Sequence, residues 1–149
     1  AQTRAMVIGE HGEHMIPYPE ITGVGGVPLT QILSKEDIED VIEKTKNGGA
    51  EIVSHLKTSA FYAPGRAISA MIESLLSDED KVIASSAILD GEYGYKDVAI
   101  GVPCVLGASG IKKIIELELD VDTKEKFAVA VKAIKENISI LRDSGFFDN

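Results

Sequence analysis

Histidine is the side chain whose charge changes nearest neutral pH, and this chain has three: His11, His14 and His55. Two of them share one short stretch, Gly9-Glu10-His11-Gly12-Glu13-His14-Met15, directly after the apolar run Ala5-Met6-Val7-Ile8. An apolar run closed by glycine reads as a buried strand, and loops at strand ends are where sites are mounted. Gly9 and Gly12, on either side of Glu10-His11, allow a tight turn and the close approach of a ligand. On spacing alone, three readings of the loop stay open. His11 can serve as a general acid and base. His11 and His14 can hold a metal with Glu10 or Glu13, although His-x-x-His chelates best on a helix face and Gly12 lies between them. The stretch can also be an ordinary surface loop, because short motifs have low specificity. His55, beside Leu56 in a helical pattern, reads as a packed or surface helix residue.

The elements that would hold such a loop follow from the pattern of apolar residues. Residues 9–19 are rich in glycine, proline and charge and read as loop throughout. Gly23-Val24-Gly25-Gly26-Val27-Pro28 leads through a turn to Ser34, which with Asp37 makes a capping box at a helix start. Ile38, Val41, Ile42, Ile52, Val53 and Leu56 stay in helical phase across Gly48-Gly49. This predicts one long helix over about 35–57 despite a cost of about 1 kcal/mol per glycine. Pro64 suits the first turn of a second helix carrying Ile68, Met71 and Leu75. Residues 81–88 and 97–105 read as strands joined through Asp90-Gly91-Glu92-Tyr93-Gly94. Ile115, Leu117 and Leu119 alternate with Glu116 and Glu118, the pattern of a half-buried strand. Phe127, Val131, Ile134, Ile138 and Leu141 trace a last helix, with Asp122 and Glu125 as its cap and first-turn acid. Strands that follow one another through short turns pair antiparallel, so the expected fold class is α+β, long helices on antiparallel strands.

Composition narrows the function classes. With 149 residues, 44% hydrophobic and 26% charged, the chain suits one ordinary globular domain. Its net charge of -9 repels phosphate backbones, which argues against a nucleic-acid partner. No apolar run approaches the roughly 20 residues of a membrane span. The single cysteine, Cys104, sits in the apolar stretch 102–106 and reads as a buried, inert thiol. A cytoplasmic location is therefore expected. No G-x-G-x-x-G follows a strand and opens a helix, so no dinucleotide-binding unit is recognisable. The start at Ala1, without Met and close to a strand, reads as a cut inside a larger polypeptide.

Gly9-Glu10-His11-Gly12, followed by Met15-Ile16-Pro17, resembles the active-site signature of the lactate/malate dehydrogenase family. Further similar stretches run in order: residues 25–28, 48–53, 59–64, 90–94 and 101–103. The resemblance covers essentially the whole chain, and Ser59 to Pro64 looks more like the lactate-dehydrogenase-like malate dehydrogenases than lactate dehydrogenases proper. It implies the family's C-terminal α+β domain over residues 1–149, with the Rossmann half lying upstream and absent here. It also implies NAD as cofactor, bound mainly by that half, with no metal.

By the same resemblance, His11 gives a proton to the carbonyl oxygen when oxaloacetate is reduced and takes the hydroxyl proton when malate is oxidised. Ala60 lines the substrate pocket, where lactate-specific relatives carry threonine. Pro64 backs the nicotinamide ring. The carboxylate that orients the histidine and the arginines that grip the substrate belong to the upstream half, so the isolated chain is expected to be inactive. Glu13 and His14 depart from the family, which has aspartate and a small residue there. The implied assembly is a homodimer or homotetramer. The rival expectations are a lactate or other 2-hydroxy-acid dehydrogenase, and a domain that serves only subunit association.

Overall fold

The structure, a computed structural model, describes residues 2–147; Ala1, where the expected cut would lie, is outside them. Among the described residues three α-helices and two antiparallel sheets make an α+β fold, as the order of elements predicts. The larger sheet is built on one long strand. This is β7 (Lys96–Gly107), paired along its length with β6 (Lys81–Asp90). On its other edge β7 carries two short strands in tandem: β2 (Val7–Gly9), which meets it at Gly101, and β8 (Gly110–Ile114). A further strand, β3 (Met15–Pro17), folds back on β2. The smaller sheet joins β1 (Thr3–Arg4), β4 (Gly23–Val24) and β5 (Val27–Pro28).

Alternation along β7 decides where the core lies. Val98, Ile100, Val102, Cys104 and Leu106 point to one face and are all buried. Their partners across the ladder, Leu89, Ala87 and Ser85, are buried with them. Phe127, Ala130 and Val131 of helix α3 (Val121–Asp143) close that face. Burying each large apolar side chain there contributes roughly 1.5–3 kcal/mol. Helix α2 (Tyr62–Ser77) also packs on β7, where the buried Ser74 hydroxyl donates to the Leu106 carbonyl over 2.9 Å.

Helix α1 (Lys35–Leu56) runs unbroken through Gly48-Gly49. At its start the Ser34 hydroxyl accepts from the Asp37 N–H, as the capping pattern predicts. Its apolar stripe is another matter. Ile38 alone is buried, while Val41, Ile52, Val53 and Leu56 are 40–51% exposed. Periodicity identified the helix, not what covers it.

Three expectations need correction. Residues 9–19 are not all loop, because Met15–Pro17 form β3. The predicted strand around Ile115–Leu119 is displaced, the ladder strand being Gly110–Ile114. Residues 115–119 keep the expected alternation of burial, but tyrosine side chains supply hydrogen bonds that a neighbouring strand would otherwise make. The Tyr93 hydroxyl donates to the Ile115 carbonyl and accepts the Leu117 N–H, and the Tyr18 hydroxyl reaches the Glu118 carbonyl. Burial pushes the Tyr93 phenol above its usual range, so it remains a neutral donor. The cap of α3 is Asp120, not Asp122. Its carboxylate accepts the Thr123 N–H, and that bond holds its carboxyl below the ordinary range.

Candidate active site

The β2–β3 hairpin carries the histidine loop. Ile8 and Ile16 face each other across it and are both buried, which anchors the two strands in the core. Between them the chain leaves at Gly9 and returns at Met15, whose N–H donates to the Gly12 carbonyl over 3.2 Å. Gly9 has φ +90°, and a Cβ there would stand 2.9 Å from the His14 carbonyl oxygen. Opposite it, a Cβ on Gly101 would come within 2.8 Å of the Gly9 carbonyl oxygen. The two glycines let β2 approach β7 and set the angle at which the loop departs. Gly12, by contrast, has only ordinary contacts and needs no glycine on these grounds. The sequence pointed to Gly9; Gly101 carried no signal beyond the family resemblance.

This gives a test of the scaffold. Gly9→Ala is expected to destabilise the fold by about 1–3 kcal/mol from backbone strain alone. Urea unfolding measures it, and an unchanged midpoint with an unchanged slope would contradict the account.

His11 is exposed, and it lies at the wall of a cleft of about 370 Å³. The hairpin contributes Glu10, His11 and Met15, and the sheet contributes Ala84, Ser85 and Ser86 from β6 with Ala99 and Gly101 from β7. Small side chains opposite an imidazole leave room for a compact ligand, and the volume falls in the range of small-molecule sites. The arrangement suits a proton exchange between an accessible imidazole and a small polar molecule.

The other predicted positions lie elsewhere. Ala60 is half-buried in the α1–α2 connection, and Pro64 is exposed in the first turn of α2; neither is in the lining of the His11 cleft. His55 is an exposed residue of α1. Cys104 is fully buried, and burial pushes its thiol up, as expected of an inert core cysteine. Among the described residues no group of three or more His, Cys, Asp or Glu is placed to hold a metal ion. Every strand pairing among them is antiparallel, which leaves no parallel strand–helix–strand crossover. No helix among the described residues is long and apolar enough to cross a membrane.

Comparison with known proteins fits this geometry. The family described as lactate/malate dehydrogenase, alpha/beta C-terminal domain matches residues 1–143. The malate dehydrogenase of Aliarcobacter butzleri (strain RM4018) is 49% identical over 144 residues, which is 96% of this chain and 46% of that protein. The solved malate dehydrogenase of Picrophilus torridus in its apo form superposes with a TM-score of 0.91 at 36% identity, covering 99% of this chain and 47% of the other. A lactate dehydrogenase from Eimeria maxima, solved with NADH and oxamate, superposes with a TM-score of 0.88 at 35% identity, covering 97% and 47%. The chain thus spans about half the length of the curated relatives it matches. A match of that extent on this fold means that the chain belongs to the lactate/malate dehydrogenase family, as its α/β C-terminal domain.

Proposed function

We propose that this chain is the substrate-side half of an NAD-dependent malate dehydrogenase, which interconverts (S)-malate and oxaloacetate with His11 as the proton-transfer residue. The observation that carries the reading is the position of His11: an exposed imidazole on a core-anchored hairpin, at the wall of a cleft where small side chains (Ala84, Ser86, Ala99, Gly101) sit beside the apolar Ile8, Ile100 and Ile134. The relatives named as malate dehydrogenases support the substrate, and the Eimeria maxima structure with NADH supports the cofactor.

In malate oxidation the neutral imidazole of His11 takes the hydroxyl proton as the alcohol carbon becomes a carbonyl. In the reverse direction the imidazolium returns that proton to the carbonyl oxygen. NAD, held mainly by an upstream dinucleotide-binding half, supplies the hydride chemistry when bound. That half also supplies the carboxylate that orients His11 and the arginines that grip the substrate's carboxylates in charge-assisted pairs. Ala60 lines the substrate pocket of the whole enzyme, where a small side chain admits the second carboxylate, and Pro64 backs the nicotinamide ring. The setting is cytoplasmic and the assembly a homodimer or homotetramer. The chain needs no metal and has no nucleic-acid or membrane partner.

Two measurements test this. The longer protein is expected to reduce NAD with (S)-malate and to prefer it over (S)-lactate by kcat/KM. Equal or better use of lactate would replace malate with another 2-hydroxy acid. The 149-residue chain alone is expected to show no saturable NADH binding and no turnover, and micromolar binding to it would sink the division of labour. A second reading, a domain that serves only subunit association, has one observation behind it, the exposed apolar stripe of α1. A longer protein that assembles but turns over neither substrate would favour it.

A further inference from the structure

Glu10 precedes His11 in the loop and lines the same cleft. The residue is half-buried. One carboxyl oxygen, Oε1, lies 3.6 Å from where a Cβ on Gly12 would stand. The other, Oε2, is buried and has no hydrogen-bond partner among the described residues. No ion pair among those residues reaches it either. A buried carboxylate oxygen left without a donor is strongly unfavourable, and native structures rarely keep one.

The missing donor can be identified by its charge. A 2-hydroxy acid enters the cleft as an anion, so it repels Glu10 and is not its complement. A carboxylate with one oxygen shielded from solvent calls for a donor, and an opposite charge that also hydrogen-bonds is the strongest donor it can meet. We propose that the Glu10 carboxylate receives an arginine or lysine from the dinucleotide-binding half, and that this pair fixes the hairpin that presents His11. The proposal rests on the reading of the chain as one half of a two-domain enzyme. Glu10 is then a positioning residue: it acts by holding the His11 loop against the partner half. This also gives the two halves a charge-matched contact beside the site, so their docking and the placement of the proton carrier are one event.

The test uses the longer protein with Glu10→Gln, which keeps shape and removes charge, and Glu10→Asp, which keeps charge on a shorter stem. Loss of a charge-assisted bond is expected to lower kcat for oxaloacetate reduction about tenfold or more in Glu10→Gln. NADH affinity should stay unchanged, and Glu10→Asp should recover part of the loss. The thermal midpoint of Glu10→Gln is expected below wild type. Wild-type kcat and midpoint in Glu10→Gln would overturn the proposal, because a neutral donor or a water would then suffice. A Glu10→Gln protein that fails to fold while Glu10→Asp folds and turns over supports the need for charge; failure of both to fold overturns a role confined to positioning. If the wild-type protein does not reduce oxaloacetate, the malate reading fails separately, and the midpoint of Glu10→Gln still decides whether the pair exists.

Discussion

Phe127→Ala is expected to cost about 3–5 kcal/mol of stability, the range for truncating a buried phenylalanine. Phe127 is 2% exposed and stands between the two layers of the domain. Its ring lies 4.9 Å from that of Tyr93 and 6.0 Å from that of Tyr95, centroid to centroid. Removing it leaves a cavity at the contact between α3 and the sheet and takes away the ring against which Tyr93 packs. The consequence reaches further than the cavity. The Tyr93 hydroxyl holds residues 115–117 in place through the Ile115 carbonyl and the Leu117 N–H, so a loosened Tyr93 frees the segment leading into α3. Thermal unfolding followed by circular dichroism measures the effect, which for a domain of this size corresponds to a fall in Tm of about 6–20 °C. Val129→Ala, at an exposed position of the same helix, is the control and is expected to stay within about 0.5 kcal/mol. Equal shifts in the two variants would contradict the placement of the core.

The parts of the fold that could be read from sequence are those in which local pattern and tertiary role agree. Helix α1 has a serine cap, an in-phase apolar stripe and no proline, so even two glycines did not hide it. The β6–β7 hairpin is legible because β6 and the first half of β7 alternate, one face being buried under α3. The parts that escaped are those where composition and role diverge. Strand β3 is three residues long, ends in Pro17 and sits among glycine and charge, so only its pairing with β2 reveals it. Strand β8 contains Lys112 and Lys113, exposed on a short edge strand. Of the more strand-like residues after it, Ile115 still donates its N–H to the Pro103 carbonyl of β7, and beyond that the segment bonds to tyrosine hydroxyls. The stripe on α1 looks like a core face and is largely uncovered, because periodicity reports a helix and not its partner.

The site divides in the same way. Two histidines between glycines at a strand end drew attention to the loop, and the structure gives the reason for Gly9 in the His14 carbonyl. Spacing alone left catalysis, metal binding and plain loop all open, and family resemblance singled out His11. Gly101, Ser85 and Ser86 were not legible as parts of the cleft, since small residues in strands have no signature of their own. The orphan oxygen of Glu10 needs coordinates to be noticed at all.

His11→Asn carries the largest expected effect on activity. Asparagine approximates part of the imidazole's shape and keeps a hydrogen-bonding amide, but it cannot take up and release a proton near neutral pH. Loss of the proposed proton carrier is expected to lower kcat by about 10²–10⁴-fold, the usual contribution of general acid–base catalysis. The hairpin should be undisturbed, because His11 is exposed and the strands are anchored through Ile8 and Ile16. His14→Asn, half-buried three residues on in the same loop, separates a specific role from a general sensitivity and is expected to retain most of the turnover.

The measurement that tests the central claim most directly is single-turnover oxidation of bound NADH by the longer protein on mixing with oxaloacetate, with wild type and His11→Asn side by side. The account predicts unchanged NADH affinity and a rate of NADH loss lower by that same factor in the variant. A variant that oxidises NADH at the wild-type rate would contradict it, leaving His11 a scaffold residue and the family membership a statement about fold alone.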